Sequence, residues 1–222
     1  MVYNYEGQAM NNGHFYRYWA CFLLTAIVFA PAFAQMVIQA DLARLQPQIQ
    51  RDDGGFSACG VRALVITSTV DSADLYDFSL MVRANMFAGM LKAGKLHATK
   101  STLLKGALPS EAVVPGPVKF WIAKENEGQA ASASNTAPSE SKGYILGTAD
   151  WSLTLDAILA MIHGERMQFA TRYKKQPLDL VISFSENMPE HERNPLMTCI
   201  TSVMDRLKAQ AMKRLSEMED KP

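Results

Sequence analysis

Apolar and polar positions alternate through long stretches of this chain, and the alternation predicts its strands. Tyr76, Phe78, Leu80, Val82 and Ala84 fall on one side of a two-residue repeat, with Asp77, Ser79, Arg83 and Asn85 on the other. Side chains point to opposite faces of a strand in turn, so this segment predicts one buried and one wet face. Just upstream, Val61, Ala63, Val65 and Thr67 alternate with Arg62, Leu64 and Ile66, a run that is apolar on both sides and therefore central. Gly89 and Gly94 offer turns, with a returning strand over 95–102. Val118, Phe120 and Ile122 alternate with Lys119, Trp121 and Ala123 after a loop marked by Pro109, Pro115, Gly116 and Pro117. The strand signal resumes at Tyr144–Leu146. Met167, Phe169, Thr171 and Tyr173, then Leu178, Leu180, Ile182 and Phe184, flank a turn at 174–177 and predict a hairpin.

Helical spacing appears in three places. Leu155, Ile158, Leu159 and Ile162 form a stripe that ends at Gly164, a favourable C-terminal cap. Asn194 caps and Pro195 opens a long final helix with the stripe Leu196, Cys199 or Ile200, Val203, Leu207. Val37, Ile38, Leu42, Leu45 and Ile49 read as a short amphipathic helix over 36–50, limited by Pro47. Residues 125–143 contain no aromatic and no large aliphatic side chain, which predicts a mobile loop inside a long hairpin connection. The sum is an α+β fold: a mostly antiparallel sheet or β-sandwich, two or three helices packed on it, and a long C-terminal helix.

The N-terminal texture is different. Arg17 precedes an apolar run from Trp19 to Ala30, and Ala32 and Ala34 supply a small-x-small end. These are the parts of a secretory signal, so residues 1–34 read as a leader cut after Ala34 to leave Gln35 first, with Met10 as an alternative start. The run is shorter than the roughly 20 apolar residues a spanning helix needs before Pro31 interrupts it. Residues 35–222 then form a single exported domain, with no stable membrane span.

Composition narrows the function. The chain carries 22 Lys and Arg against 22 Asp and Glu, and the leader removes one of each sign, so there is no electrostatic case for nucleic acid. Cys21 goes with the leader, leaving Cys59 and Cys199. In an oxidising compartment this pair reads as one disulfide, closing a loop of about 140 residues. With a leader, a late cysteine and a helix–hairpin–helix ending, the order of elements resembles that of small secreted β-sandwich proteins of the invasion-associated locus B kind. The likeness brings no residue role and no activity with it.

Candidate chemistry is sparse. His97, His163 and His191 lie beyond the leader, but there is no G-x-S-x-G elbow; Gly55-Phe56-Ser57-Ala58-Cys59 lacks its second glycine. His163 with Glu165, and Glu190-His191-Glu192, suit helix ends better than a metal site, which needs three fixed ligands. Met86 and Met90 could offer soft thioethers to copper(I), but the methionines sit among core-type positions. Phosphate-cradling glycine loops are missing and Asp52-Asp53 lies in a turn, so no cofactor is expected. Trp121 and Trp151 are candidates for a binding patch if one sheet face is open. These features point to a periplasmic or secreted binding or accessory protein without enzymatic activity, partnered by an envelope protein or a small ligand. A cleft joining His97 or His191 to a serine and a carboxylate would instead indicate a hydrolase. An exposed apolar stripe beyond Leu207, with the protein a stable oligomer in solution, would support a structural subunit of an envelope assembly.

Overall fold

The computed structural model describes residues 35–99, 101–102, 109 and 111–219. The expected leader, including Ala32 and Ala34, lies outside the described residues, which begin at Gln35. The chain divides into two units, Met1–Ala34 and Gln35–Pro222, and the second holds every element below.

Two sheets face each other. The larger holds β2 (Leu42–Asp52), β3 (Gly55–Ser68), β4 (Ser72–Arg83), β5 (Met86–Thr99), β10 (Ile145–Asp150) and β9 (Ser134–Pro138) in that order, with β6 (Glu111–Ala112) paired to β5. The smaller runs β1 (Gln35–Gln39), β12 (Asp179–Phe184), β11 (Met167–Tyr173), β7 (Pro117–Lys124) and β8 (Ala131–Ser132). The β1–β12 pair is parallel and the other pairings are antiparallel.

Register carries the predicted alternation into one core. Cys59, Val61, Ala63 and Val65 lie opposite Val82, Leu80, Phe78 and Tyr76, and all eight are buried. Across the gap stand Phe120, Ile122, Met167, Phe169, Ile182 and Phe184. Phe78 stacks on Phe169 at 4.1 Å between ring centroids and meets Phe184 edge-on at 5.6 Å, so one side chain joins both sheets.

Two helices close one end of this sandwich. Helix α1 (Trp151–Ile162) is capped by Asp150, whose Oδ1 accepts the Leu153 amide at 3.0 Å, and it stops at Gly164, whose φ of +72° suits glycine. Its Thr154 fills the space above Gly89, where any Cβ would overlap the threonine. Helix α2 (Glu190–Glu219) packs mainly on β3 and β2 through Leu196, Cys199, Ile200, Val203 and Leu207. The Cys59–Cys199 disulfide, with 5.9 Å between Cα atoms, ties that helix to β3.

Several expectations differ from the structure. Residues 36–50 form no helix: the chain leaves β1 at Ala40, and β2 alternates Ala43 and Leu45 inward against Arg44 and Gln46. The apparent 3–4 spacing came from adding two strands across a break, and Pro47 fits because β2 is an edge strand. Gly89 and Gly94 are not turns. The turn is at Ala84–Asn85, and both glycines lie inside β5, where Gly94 makes room for the Tyr144 ring. Within 125–143 the structure places β8 and β9; these strands need only backbone partners, so small polar residues suffice. Helix α2 begins at Glu190 rather than Asn194. Pro189 O accepts the Glu192 and Arg193 amides, and Pro195 sits inside the helix on its exposed side. Finally, the expected wet face of β4 is partly covered. Asp77 is buried because Arg62 grips it with two bonds of 2.8 and 2.7 Å and the Tyr144 hydroxyl donates to it at 2.8 Å.

Candidate functional site

Among the described residues, the end of the sandwich away from the helices is open. There the inner faces of β3, β4 and β5 diverge from β1 and β12 and leave a cleft of about 690 Å³. That volume lies within the roughly 300–1,000 Å³ of small-molecule sites. One wall is apolar, made by Met36, Ile38, Leu178 and Leu180. The other presents Thr67, Asp74, Tyr76 and Lys95.

The polar wall follows from the same alternation that builds the core. Asp74 continues the Tyr76–Phe78–Leu80 face by one step, and Lys95 lies opposite Tyr76 in register. Toward the helices this face carries only apolar groups, whereas at the mouth it carries charge. Lys95 Nζ donates to Asp74 Oδ2 at 2.6 Å, and His97 Nδ1 lies 2.7 Å from Asp74 Oδ1. The Lys95 ammonium also stands 5.3 Å from the centre of the Tyr76 ring. Arg172 holds Asp179 at the rim at 2.6 Å, and Asp41 accepts from the Ser68 amide and hydroxyl.

Two tyrosines at this end are held protonated. Burial, and then the Asp74 charge, push the Tyr76 phenol well above its ordinary range. Burial pushes the Tyr173 phenol the same way, with Tyr76 and Asp74 adding to it and the nearby Thr171 opposing. Thr171 does not reach hydrogen-bond geometry, so Thr171 Oγ1 and Tyr173 Oη are both buried without a partner. Buried polar atoms are normally paired. Both residues lie on β11, with Thr171 opposite the cleft-lining Leu180.

The residues singled out in the sequence are dispersed. Trp121 lies on β7, half-buried between Ala170 and Ser132. Trp151 opens α1 and lines a separate groove of about 150 Å³ with Phe87, Met204 and Leu207, its indole N–H buried and unpaired. The two tryptophans lie on different parts of the fold, and neither lines the cleft. His163 caps α1 and His191 is exposed in the first turn of α2. His97 has its carboxylate, yet among the described residues no hydrogen bond joins it to a serine, so the hydrolase arrangement is only half present. Met212, Leu215 and Met218 are exposed on α2 beyond Leu207, the stripe that the assembly-subunit alternative calls for. Among the described residues no group of three or more His, Cys, Asp or Glu could hold a metal, and no helix is long and apolar enough to cross a membrane.

Asp74, Tyr76, Lys95 and Tyr173 were not singled out as a site by the sequence, because each reads as one more step of a strand. Compared with protein families, with characterised proteins and with solved structures, the chain matches none at a significant level.

Proposed function

We propose that this chain is an exported binding protein without catalytic activity, periplasmic or secreted, that holds a small ligand with an apolar body and a polar head between its sheets. The observation that carries the reading is the cleft itself: an apolar wall of Met36, Ile38, Leu178 and Leu180 faces Tyr76 and the Lys95–Asp74 ion pair. Its export is supported by the Cys59–Cys199 bridge, a feature of oxidising compartments, together with the leader pattern ahead of Gln35.

The apolar wall would take the body of the ligand through burial, worth roughly 25 cal/mol per Å² removed from water. Lys95 and Tyr76 offer donors to its head, and Asp74 offers an acceptor. The test is a titration of the exported protein with the fluorescent amphiphile 1-anilinonaphthalene-8-sulfonate. Saturable binding of one probe per chain, abolished by Leu180→Trp to fill the cleft, is expected. Binding that survives the filled cleft sinks the reading. Mass spectrometry of exported protein checks the compartment, with Gln35 as the first residue and no free thiol.

A further inference from the structure

Strand β1 has a free edge among the described residues. There it pairs with β12 alone, and it ends the five-stranded sheet. Edge strands of natural sheets are usually blunted by charge, proline or a bulge, because their free N–H and C=O groups template pairing with another chain. The β1 sequence, Gln35-Met36-Val37-Ile38-Gln39, has no charge and no proline, and Met36 and Val37 are 55% and 57% exposed.

The direction of the free groups is fixed by the pairing. Ala40 N–H donates to Ser183 O at 2.9 Å, so Ile38 and Met36, two and four residues back, also point their main chain toward β12. Gln35, Val37 and Gln39 therefore direct N–H and C=O outward. The strand is also chemically symmetric about Val37, with Ile38 answering Met36 and Gln39 answering Gln35.

We infer that β1 is a self-association edge: two copies of this chain pair antiparallel through β1 about a twofold axis at Val37, forming one continuous sheet. In that register Val37 faces Val37 of the second copy as a hydrogen-bonded pair, Gln35 faces Gln39, and Met36 faces Ile38. Every cross-strand pair is like with like, and no charges meet across the axis. This is the self-complementarity a twofold interface requires. Met36 and Ile38 also line the cleft, so each copy lays the other's apolar pair beside its own cleft wall. A five-residue edge is small against a standard interface of about 1,600 Å², so the dimer is reversible and concentration-dependent. The inference goes beyond the binding reading and stands without it.

Sedimentation equilibrium of the exported protein tests it. The mass is expected to rise from monomer toward dimer with concentration, and Val37→Lys, an exposed change that places two like charges on the axis, is expected to weaken dimerisation by about tenfold or more. A protein that stays monomeric at its highest soluble concentration, or a Val37→Lys variant that dimerises as the parent does, overturns the inference. A second variant checks the register. Hydrogen-bonded antiparallel pairs bring Cα atoms to about 5.5 Å, within disulfide range, so Val37→Cys should form covalent dimers under mild oxidation. Val70→Cys, at a position more accessible still (85% exposure against 57%), should not. Equal cross-linking of the two rules out pairing at β1.

Discussion

The two ends of the sandwich share strands but not chemistry. At the helix end, the inner faces of β3, β4 and β5 carry Cys59, Val82 and Gly89, and these positions are covered: Thr154 occupies the space over Gly89, and Cys199 bridges to Cys59. At the mouth the same faces carry Thr67, Asp74 and Lys95 around the cleft, and on the facing sheet the Thr171 and Tyr173 hydroxyls are buried without a partner. One end is built for stability. The other leaves stability unclaimed, as binding sites commonly do.

The largest effect belongs to the sealed end. Replacing both cysteines by serine removes a cross-link between residues 140 apart, worth about 4–5 kcal/mol in the chain-entropy picture. Denaturant unfolding should show that loss, while probe binding at the mouth stays within about twofold wherever the protein remains folded. If binding collapses while the fold persists, the two ends are not separable.

Phe78→Ala comes next. It empties the junction between the sheets and should cost about 3–5 kcal/mol, whereas Met36→Ala at the exposed mouth should cost less than about 1 kcal/mol. Equal losses in thermal unfolding would mean that the mouth is packed as tightly as the core.

A pH series separates the ends in another way. Tyr76 and Tyr173 have phenols raised above the ordinary value of 10.0, so the folded state holds protons that the unfolded chain releases first. Their contribution is complete below pH 10 and is lost as the pH climbs beyond it. Tyr144 shares the direction, through burial and then the hydroxyl's bond to Asp77. Each of Tyr76→Phe, Tyr173→Phe and Tyr144→Phe should flatten the fall in melting temperature between about pH 9 and pH 11. An unchanged slope in all three would show that these phenols titrate normally.

Much of this architecture is legible in the chain because burial and alternation coincide. Phe78, Phe169 and Ile182 are inward by period alone, and Cys199 lies on the helical stripe that meets Cys59. Legibility fails where a residue answers to something far away in sequence. Gly94 looks like a turn until the Tyr144 ring is seen to need its space, and Asp77 looks wet until Arg62 and Tyr144 close over it. The cleft is hidden for a related reason. Lys95 and Asp74 occupy ordinary strand positions, and only the cleft left between them and β1 and β12 turns their end of the face into a mouth.

The smallest effect has the most diagnostic sign. Thr171 and Tyr173 bury hydroxyls that make no hydrogen bond, and such burial costs roughly 1–3 kcal/mol for each unsatisfied group. Thr171→Val and Tyr173→Phe remove the polar atom and keep nearly the same shape, so neither should destabilise the protein. Each should raise its stability by up to about 1 kcal/mol in denaturant unfolding. If those hydroxyls exist to receive a ligand's polar head, the same variants should weaken binding of the anionic probe by about threefold to tenfold, the scale of one hydrogen bond. Stability up and binding down is the signature of a site held open against the interest of the fold. Stability down would mean that the hydroxyls find partners within the protein. Binding unchanged would leave Lys95 as the anchor of the head, and Lys95→Met, at the partly buried ion pair with Asp74, would then carry the larger loss.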